Sequence, residues 1–171
     1  MFELKISDLN EASKLSRNWA THTISLLDPG IDRCDFLEIK LPEANKNGLL
    51  QRYFFHDITS QHDSSFMIFL TEKKEAILAN PQHIQDILEF TALLQSTDKL
   101  LVHCHAGVSR STAVACGVLC QHGLTPIEAV KHVVSIRPQA FPNRLILRLF
   151  DEILGLKGDL IVAGTEEIFS L

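Results

Sequence analysis

The stretch Lys99-Leu100-Leu101-Val102-His103-Cys104-His105-Ala106-Gly107-Val108-Ser109-Arg110-Ser111-Thr112 decides the fold. An apolar run of strand length leads into a short polar turn with a glycine, and a helix-compatible stretch follows. The pattern predicts a strand over 99–103, a tight turn and a helix beginning near Arg110, with a cysteine at the hinge. Such a hinge aims several backbone N–H groups and the positive end of a helix dipole at one point, a ready site for a phosphate or another oxyanion. The same field acts on the thiol. A free cysteine titrates near about 8.5, whereas values of roughly 3.5 to 7.5 occur at helix N-termini and beside cations, so Cys104 is expected to be a thiolate at neutral pH. Arg110 closes the turn with a planar, permanently charged fork that can hold two oxygens of a phosphoryl group, which lysine cannot do. Gly107 allows a backbone conformation that a Cβ would obstruct. Ser111 can donate a hydrogen bond to the sulfur and so help it leave after a phospho-cysteine has formed.

The run His103 to Ser111, of the form H-C-x-x-G-x-S-R-S, resembles the signature of the cysteine-dependent protein tyrosine and dual-specificity phosphatases. Ser109 stands where the large tyrosine-specific enzymes usually carry glycine, so the dual-specificity branch is the nearer likeness. The resemblance implies Cys104 as nucleophile and Arg110 and Ser111 as its catalytic partners. It also implies His105, Ala106, Gly107, Val108, Ser109 and Arg110 as the phosphate-binding loop, with His103 in support. It calls for no cofactor and no metal, and for a phosphorylated protein or peptide as substrate. The alternative for Cys104 is a buried structural cysteine at a strand end.

Outward from the hinge, the downstream half is helical. Gly123 is a natural stop for the helix starting at Arg110. Thr125-Pro126-Ile127-Glu128 predicts the next start, with Thr125 as cap, Pro126 in the first turn and Glu128 reaching back. That helix should end near Ile136, before Pro138, and a last one should run from Pro142-Asn143 to about Leu154. The segments Gly123–Val130, Ile136-Arg137-Pro138 and Phe141-Pro142-Asn143 resemble the family's helix and its R-P-x-x-x-P-N run. Asn143 is similar to an asparagine that braces the phosphate loop in relatives, and it would equally serve as a helix cap. Upstream, Ser7–Trp19 predicts an amphipathic helix capped by Ser7. Short strands are predicted over 23–27, 35–41 and 49–58, and Pro81 opens a helix through Leu94. Thr21-His22 and the strand after it resemble a family segment near the N-terminus. Strands followed by helices argue for an α/β fold with a central, mainly parallel sheet covered on both faces, which is also the family architecture. A single domain over 1–171 is expected, with the resemblance covering about 22–154. The tail 157–171 would pack on the sheet edge or on a partner.

Hydrolysis through a phospho-cysteine also needs a proton for the leaving oxygen and later a base for water, and one carboxyl group can supply both. The resemblance implies an aspartate on a loop after an upstream strand. Asp57, in Phe54-Phe55-His56-Asp57-Ile58, is the first choice; Asp63 is the second, and Asp86 or no dedicated acid the remainder. The stretch between Asp57 and Cys104 is longer than in the smallest relatives, implying an inserted loop. His103 should bond backbone near Cys104, since adjacent strand positions face opposite ways. His105 should lie at the pocket mouth. His56-Asp57 with His22 also admits a metal-dependent hydrolase, but that reading needs a helical bundle. Cys116 and Cys120, four apart, suit buried packing on one helix face.

A net charge of −5 gives no general attraction for nucleic acid or acidic membranes, and no basic cluster offsets it. The N-terminus lacks a signal-peptide pattern and no segment approaches the roughly 18 apolar residues of a membrane span, so a cytoplasmic protein is expected. Its four cysteines show neither zinc spacing nor the density of a secreted scaffold. The leading functional expectation is a metal-independent phosphomonoesterase acting on proteins. A pseudophosphatase that binds phosphorylated partners is the second, opposed by the intact Cys104, Arg110 and Ser111. A rhodanese-like sulfurtransferase lacks this loop pattern. Arsenate reduction on the low-molecular-weight phosphatase fold would place the loop near the N-terminus. Lipid and inositol phosphatases of the superfamily often carry loop lysines, absent here.

Overall fold

The computed structural model describes residues 1–31, 40–59 and 76–169, with side chains to 165. Four strands, β1 (Glu3–Ser7), β2 (His22–Leu27), β3 (Leu49–Phe54) and β4 (Lys99–His103), form one sheet in the order β1-β4-β2-β3, and all three pairings are parallel. The inner strand β4 is buried from Leu100 to His103, as its unbroken apolar run predicts. The edge strand β1 shows the alternation that hid it in the sequence: Leu4 and Ile6 point inward while Glu3 and Lys5 are exposed. Ser7 belongs to this strand, paired with His103, and is not the helix cap expected of it. Asp8 caps α1 (Leu9–Asn18) instead, its Oδ1 accepting the Glu11 N–H at 2.9 Å, because a carboxylate satisfies an orphan donor and opposes the positive helix end together.

Helices cover both faces unequally. On one face α1 and the residues after it set Ala12, Leu15, Trp19 and Ala20 against Leu101. On the other lie α2 (Pro81–Thr91), α3 (Arg110–Gln121), α4 (Pro126–Ile136), α5 (Arg144–Leu154) and α6 (Asp159–Phe169), whose buried residues join Leu4, Ile24, Leu26, Leu100 and Val102 in the main core. Helix α3 is the centre of that layer, buried at every position from Arg110 to Leu119. Gly117 is what lets α5 approach it, since a Cβ there would sit 2.2 Å from Phe150. The cap of α4 is the expected reciprocal one between Thr125 and Glu128.

Two further expectations are corrected. The strand foreseen over 49–58 ends at Phe54: Phe55 still donates its N–H to Leu27 O at 3.0 Å, but His56 turns to Ile77 O at 2.8 Å. The tail lies not on the sheet edge but as α6 against α4 and α5, burying Leu160 and Ala163. Asp151 anchors it by accepting the N–H groups of Gly158 at 2.7 Å and Leu160 at 2.8 Å. The strand foreseen over 35–41 falls mostly outside the described residues, as do Cys34 and Asp63; Lys40 and Leu41 are irregular. Among the described residues no helix is long and apolar enough to cross a membrane.

Candidate active site

Because the strands are parallel, their carboxyl ends share one edge of the sheet. Asp8, Asp28, the segment from Phe55 to Asp57 and Cys104 all emerge there. Ligands of parallel sheets sit in the crevice outside those ends. From β4 the chain enters the loop 104–109 and turns directly into α3. Gly107 has φ +69°, and a Cβ there would meet the Ser7 carbonyl at 2.7 Å and an Arg137 nitrogen at 2.6 Å, so the loop closes only with glycine. Outside the loop, Arg137 grips it from the end of α4, donating from Nε to Gly107 O at 2.9 Å and from Nη2 to Ala106 O at 3.1 Å. On the other flank Phe141 and Asn143 donate their backbone N–H groups to Val108 O at 2.9 Å and Ser109 O at 3.2 Å.

Cys104 lies at the floor of this loop, 2% exposed. Its Sγ accepts the Gly107 N–H at 3.2 Å and lies 3.3 Å from Ser111 Oγ. Burial alone would push the thiol up. The Ser111 hydroxyl and N–H, the Arg110 charge and the Val108 N–H outweigh it, and the thiol lies below its ordinary value. His103 is fully buried, and burial, helped by the Arg52 and Arg110 charges, pushes it down to about 4 against the Cys104 carbonyl bond. It is therefore neutral at pH 7, with Nδ1 donating to Cys104 O at 3.2 Å, the backbone role expected for it. His105 and Ala106 are exposed at the mouth.

Arg110 is 2% exposed, and its fork is divided. Nη1 donates to Phe55 O at 2.7 Å and to Asp28 Oδ1 at 3.0 Å, while buried Nε has no hydrogen-bond partner among the described residues and lies 3.9 Å from Asp57 Oδ2. One side of the guanidinium is thus fixed by protein and the other is available to an oxyanion. Asp57 stands across the mouth, Oδ1 accepting from Ser109 Oγ at 2.6 Å and from Asn143 Nδ2 at 2.8 Å. Asn143 also caps α5, its Oδ1 accepting the Ile146 N–H at 3.1 Å, while its side-chain amide holds the Asp57 segment and its backbone N–H meets the loop at Ser109 O.

The structure thus gathers Cys104, Arg110, Ser111, Asp57, Ser109 and Asn143 into one crevice. Asp86 is not among them; it lies on α2, accepting from Gln82 Nε2 at 2.8 Å. The metal-hydrolase alternative fails on architecture, and His56 and His22 do not converge: His56 Nδ1 accepts the Ile77 N–H at 3.0 Å, while His22 Nδ1 lies 2.9 Å from Thr21 Oγ1. Cys116 and Cys120 are packing thiols on α3, pushed up by burial, Cys120 to about 12. Two contributors escaped sequence reasoning, Asp28 and the loop-gripping side chain of Arg137. The available signal for Asp28 was its place at the carboxyl end of a parallel strand; its Asp-Pro-Gly setting reads as a turn and nothing more.

Comparison with known proteins agrees with the fold. No protein-family model matches the chain. It is 42% identical to dual specificity protein phosphatase 1 of Arabidopsis thaliana, an alignment covering 87% of this chain and 78% of that protein. Over 69 residues it is 45% identical to human dual specificity protein phosphatase 26, covering 39% of this chain and 32% of that one. Among solved structures, human DUSP28 superposes with a TM-score of 0.62 at 19% identity, covering 90% of this chain and 92% of that chain. DUSP15 superposes with a TM-score of 0.59 at 21% identity, covering 98% and 92%; at these identities the likeness speaks for the fold alone. The class defined is a cysteine-dependent phosphatase built on a parallel sheet. Within it, the chain belongs to the dual-specificity protein phosphatases, which are hydrolases.

Proposed function

We propose that this phosphatase hydrolyses phosphorylated proteins through a phospho-cysteine on Cys104, without a metal, and that 1–171 acts as one catalytic domain. The Cys104 thiolate attacks phosphorus; the bond to the leaving oxygen breaks, and Asp57 passes that oxygen a proton. Loop N–H groups and the free side of Arg110 hold the equatorial oxygens as charge builds on them. Water then attacks phosphorus, Asp57 takes its proton, and Cys104 departs as thiolate with Ser111 donating to it. Because Ser109 and Asn143 both donate to Oδ1, the proton-bearing oxygen of Asp57 is Oδ2. The free thiols Cys104, Cys116 and Cys120 suit a reducing compartment such as the cytoplasm.

The observation that carries this reading is the convergence of Asp57 on the loop that holds Cys104 and Arg110, from a segment 52 residues away in sequence. Replacing Cys104 by serine should abolish hydrolysis of an aryl phosphate while phosphate affinity persists, and Arg110→Lys should be nearly inactive although the charge is kept. EDTA should leave the wild-type rate unchanged. Turnover by Cys104→Ser, or loss of rate on chelation, would overturn the mechanism.

A further inference from the structure

His56 takes no part in the mechanism above, yet its ring is tied into the backbone that carries the acid. We propose that His56 is a positioning residue for Asp57: its Nδ1 clasps Ile77 and so holds the acid-bearing segment over the catalytic loop; the proposal rests on the phosphatase reading above. That segment is fastened at several points. Phe55 donates its N–H to Leu27 O at 3.0 Å and offers its carbonyl to Arg110 Nη1 at 2.7 Å. Ile58, 3% exposed, accepts at its carbonyl from Asn143 Nδ2 at 3.2 Å. These anchors join it to β2, α3 and the cap of α5.

The remaining tie runs to Ile77, 21 residues from His56 in sequence, shortly before the chain enters α2. His56 donates its N–H to Ile77 O at 2.8 Å, as in a strand pair. The reciprocal bond is not made by backbone, since His56 O accepts the Ile58 N–H at 3.0 Å instead. The side chain supplies the acceptor: Nδ1 takes the Ile77 N–H at 3.0 Å. A backbone N–H only donates, so Nδ1 carries no proton in this arrangement and the ring N–H is at Nε2. Ile77 O, 3.3 Å from Nδ1, is already the acceptor of the His56 N–H. The residue type fits the task. Asparagine has an acceptor equally far from its Cα, whereas leucine has the bulk without one. Ile77 is 47% exposed, so the bond is not a by-product of burying that residue. One such bond adds little to stability, but a displacement of about 1 Å in a catalytic group can cost about 10² in rate, so the clasp matters more to catalysis than to folding.

The test uses the full chain and two esters, phenyl phosphate and an aryl phosphate whose activated phenol needs no proton. In His56→Leu, kcat/KM should fall about ten- to a hundredfold for phenyl phosphate and change little for the activated ester, because proton delivery alone is disturbed. His56→Asn should restore most of the loss. In an Asp57→Asn background His56→Leu should add nothing, since the group it positions is gone. Hydrogen exchange read by NMR reports the clasp itself. The Ile77 N–H should exchange at least about tenfold more slowly than an unstructured peptide amide in the wild type and in His56→Asn, and should lose that protection in His56→Leu. The wild-type measurement stands even where a variant does not fold. Equal losses for the two esters would make His56 a structural residue and overturn the proposal. A further leaving-group-dependent loss in the Asp57→Asn background, or an unprotected Ile77 N–H in the wild type, would overturn it too. A wild type that turns over neither ester while Ile77 is protected would remove the phosphatase reading and leave the clasp standing.

Discussion

In the proposed mechanism Asp57 is the residue on which the chemistry turns, and its contacts specify what its loss should do. Asp57→Asn keeps the size and the bonds from Ser109 and Asn143 but removes the proton. For a tyrosine phenoxide leaving group kcat should fall by about 10² to 10⁴, and by far less for an activated phenol that needs no proton. A leaving-group series measures this. Asp63→Asn should show no such effect; if it shows the leaving-group dependence while Asp57→Asn stays near wild type, the acid is misassigned. His103 makes a separate, thermodynamic prediction. Its folded value of about 4 lies below the unfolded 6.5, so its contribution is complete above pH 6.5 and is lost as pH falls toward 4. Between pH 7 and pH 4.5 urea unfolding should show the wild type losing roughly 2 to 3 kcal/mol more than His103→Gln. An equal loss in both would contradict the buried neutral histidine. At this scale the loop residues and Asn143 were legible because their neighbours in sequence carry a pattern. Asp28 was not, since its partner Arg110 is 82 residues away and nothing local announces an ion pair.

Among the elements, those with a local stop or start signal were read from sequence: the reciprocal Thr125–Glu128 cap, Gly123 after α3, Pro81 opening α2, the apolar run of β4. Elements that owe their state to tertiary contact were not. Strand β1 is five residues long, too short for its alternation to stand out, and exists because β4 offers it a partner. Helix α6 is a helix in the right place because Asp151 of α5 anchors its first turn, a bond no sequence pattern shows. The contact of α3 with α5 is likewise a property of the pair, and it can be tested. Gly117→Ala would place a methyl group against the fully buried Phe150 ring, and overpacking of this kind costs about 1 to 3 kcal/mol. Equilibrium urea unfolding should register that loss, and Phe150→Leu in the same background should recover part of it. An unchanged midpoint would mean that the two helices are not packed as described.

For the whole molecule, parallel pairing is what brings the site together. Strand ends that share one edge deliver Asp28, Asp57 and Cys104 to a single crevice, though they lie far apart in the chain. The sequence predicted the architecture because β4, the loop and α3 are contiguous and strongly patterned; the depth of the helical layer on one face and, among the described residues, the single helix on the other needed the structure. The central claim is that phosphate passes through Cys104. Its most direct measurement is rapid acid quench during steady turnover of an aryl phosphate, followed by mass analysis of the peptide containing Cys104. The mechanism predicts that peptide heavier by one phosphoryl group, with more of it trapped in Ser111→Ala, where the departing sulfur loses its donor. Turnover with no phosphoryl group on Cys104, or with the label on another residue, would contradict it.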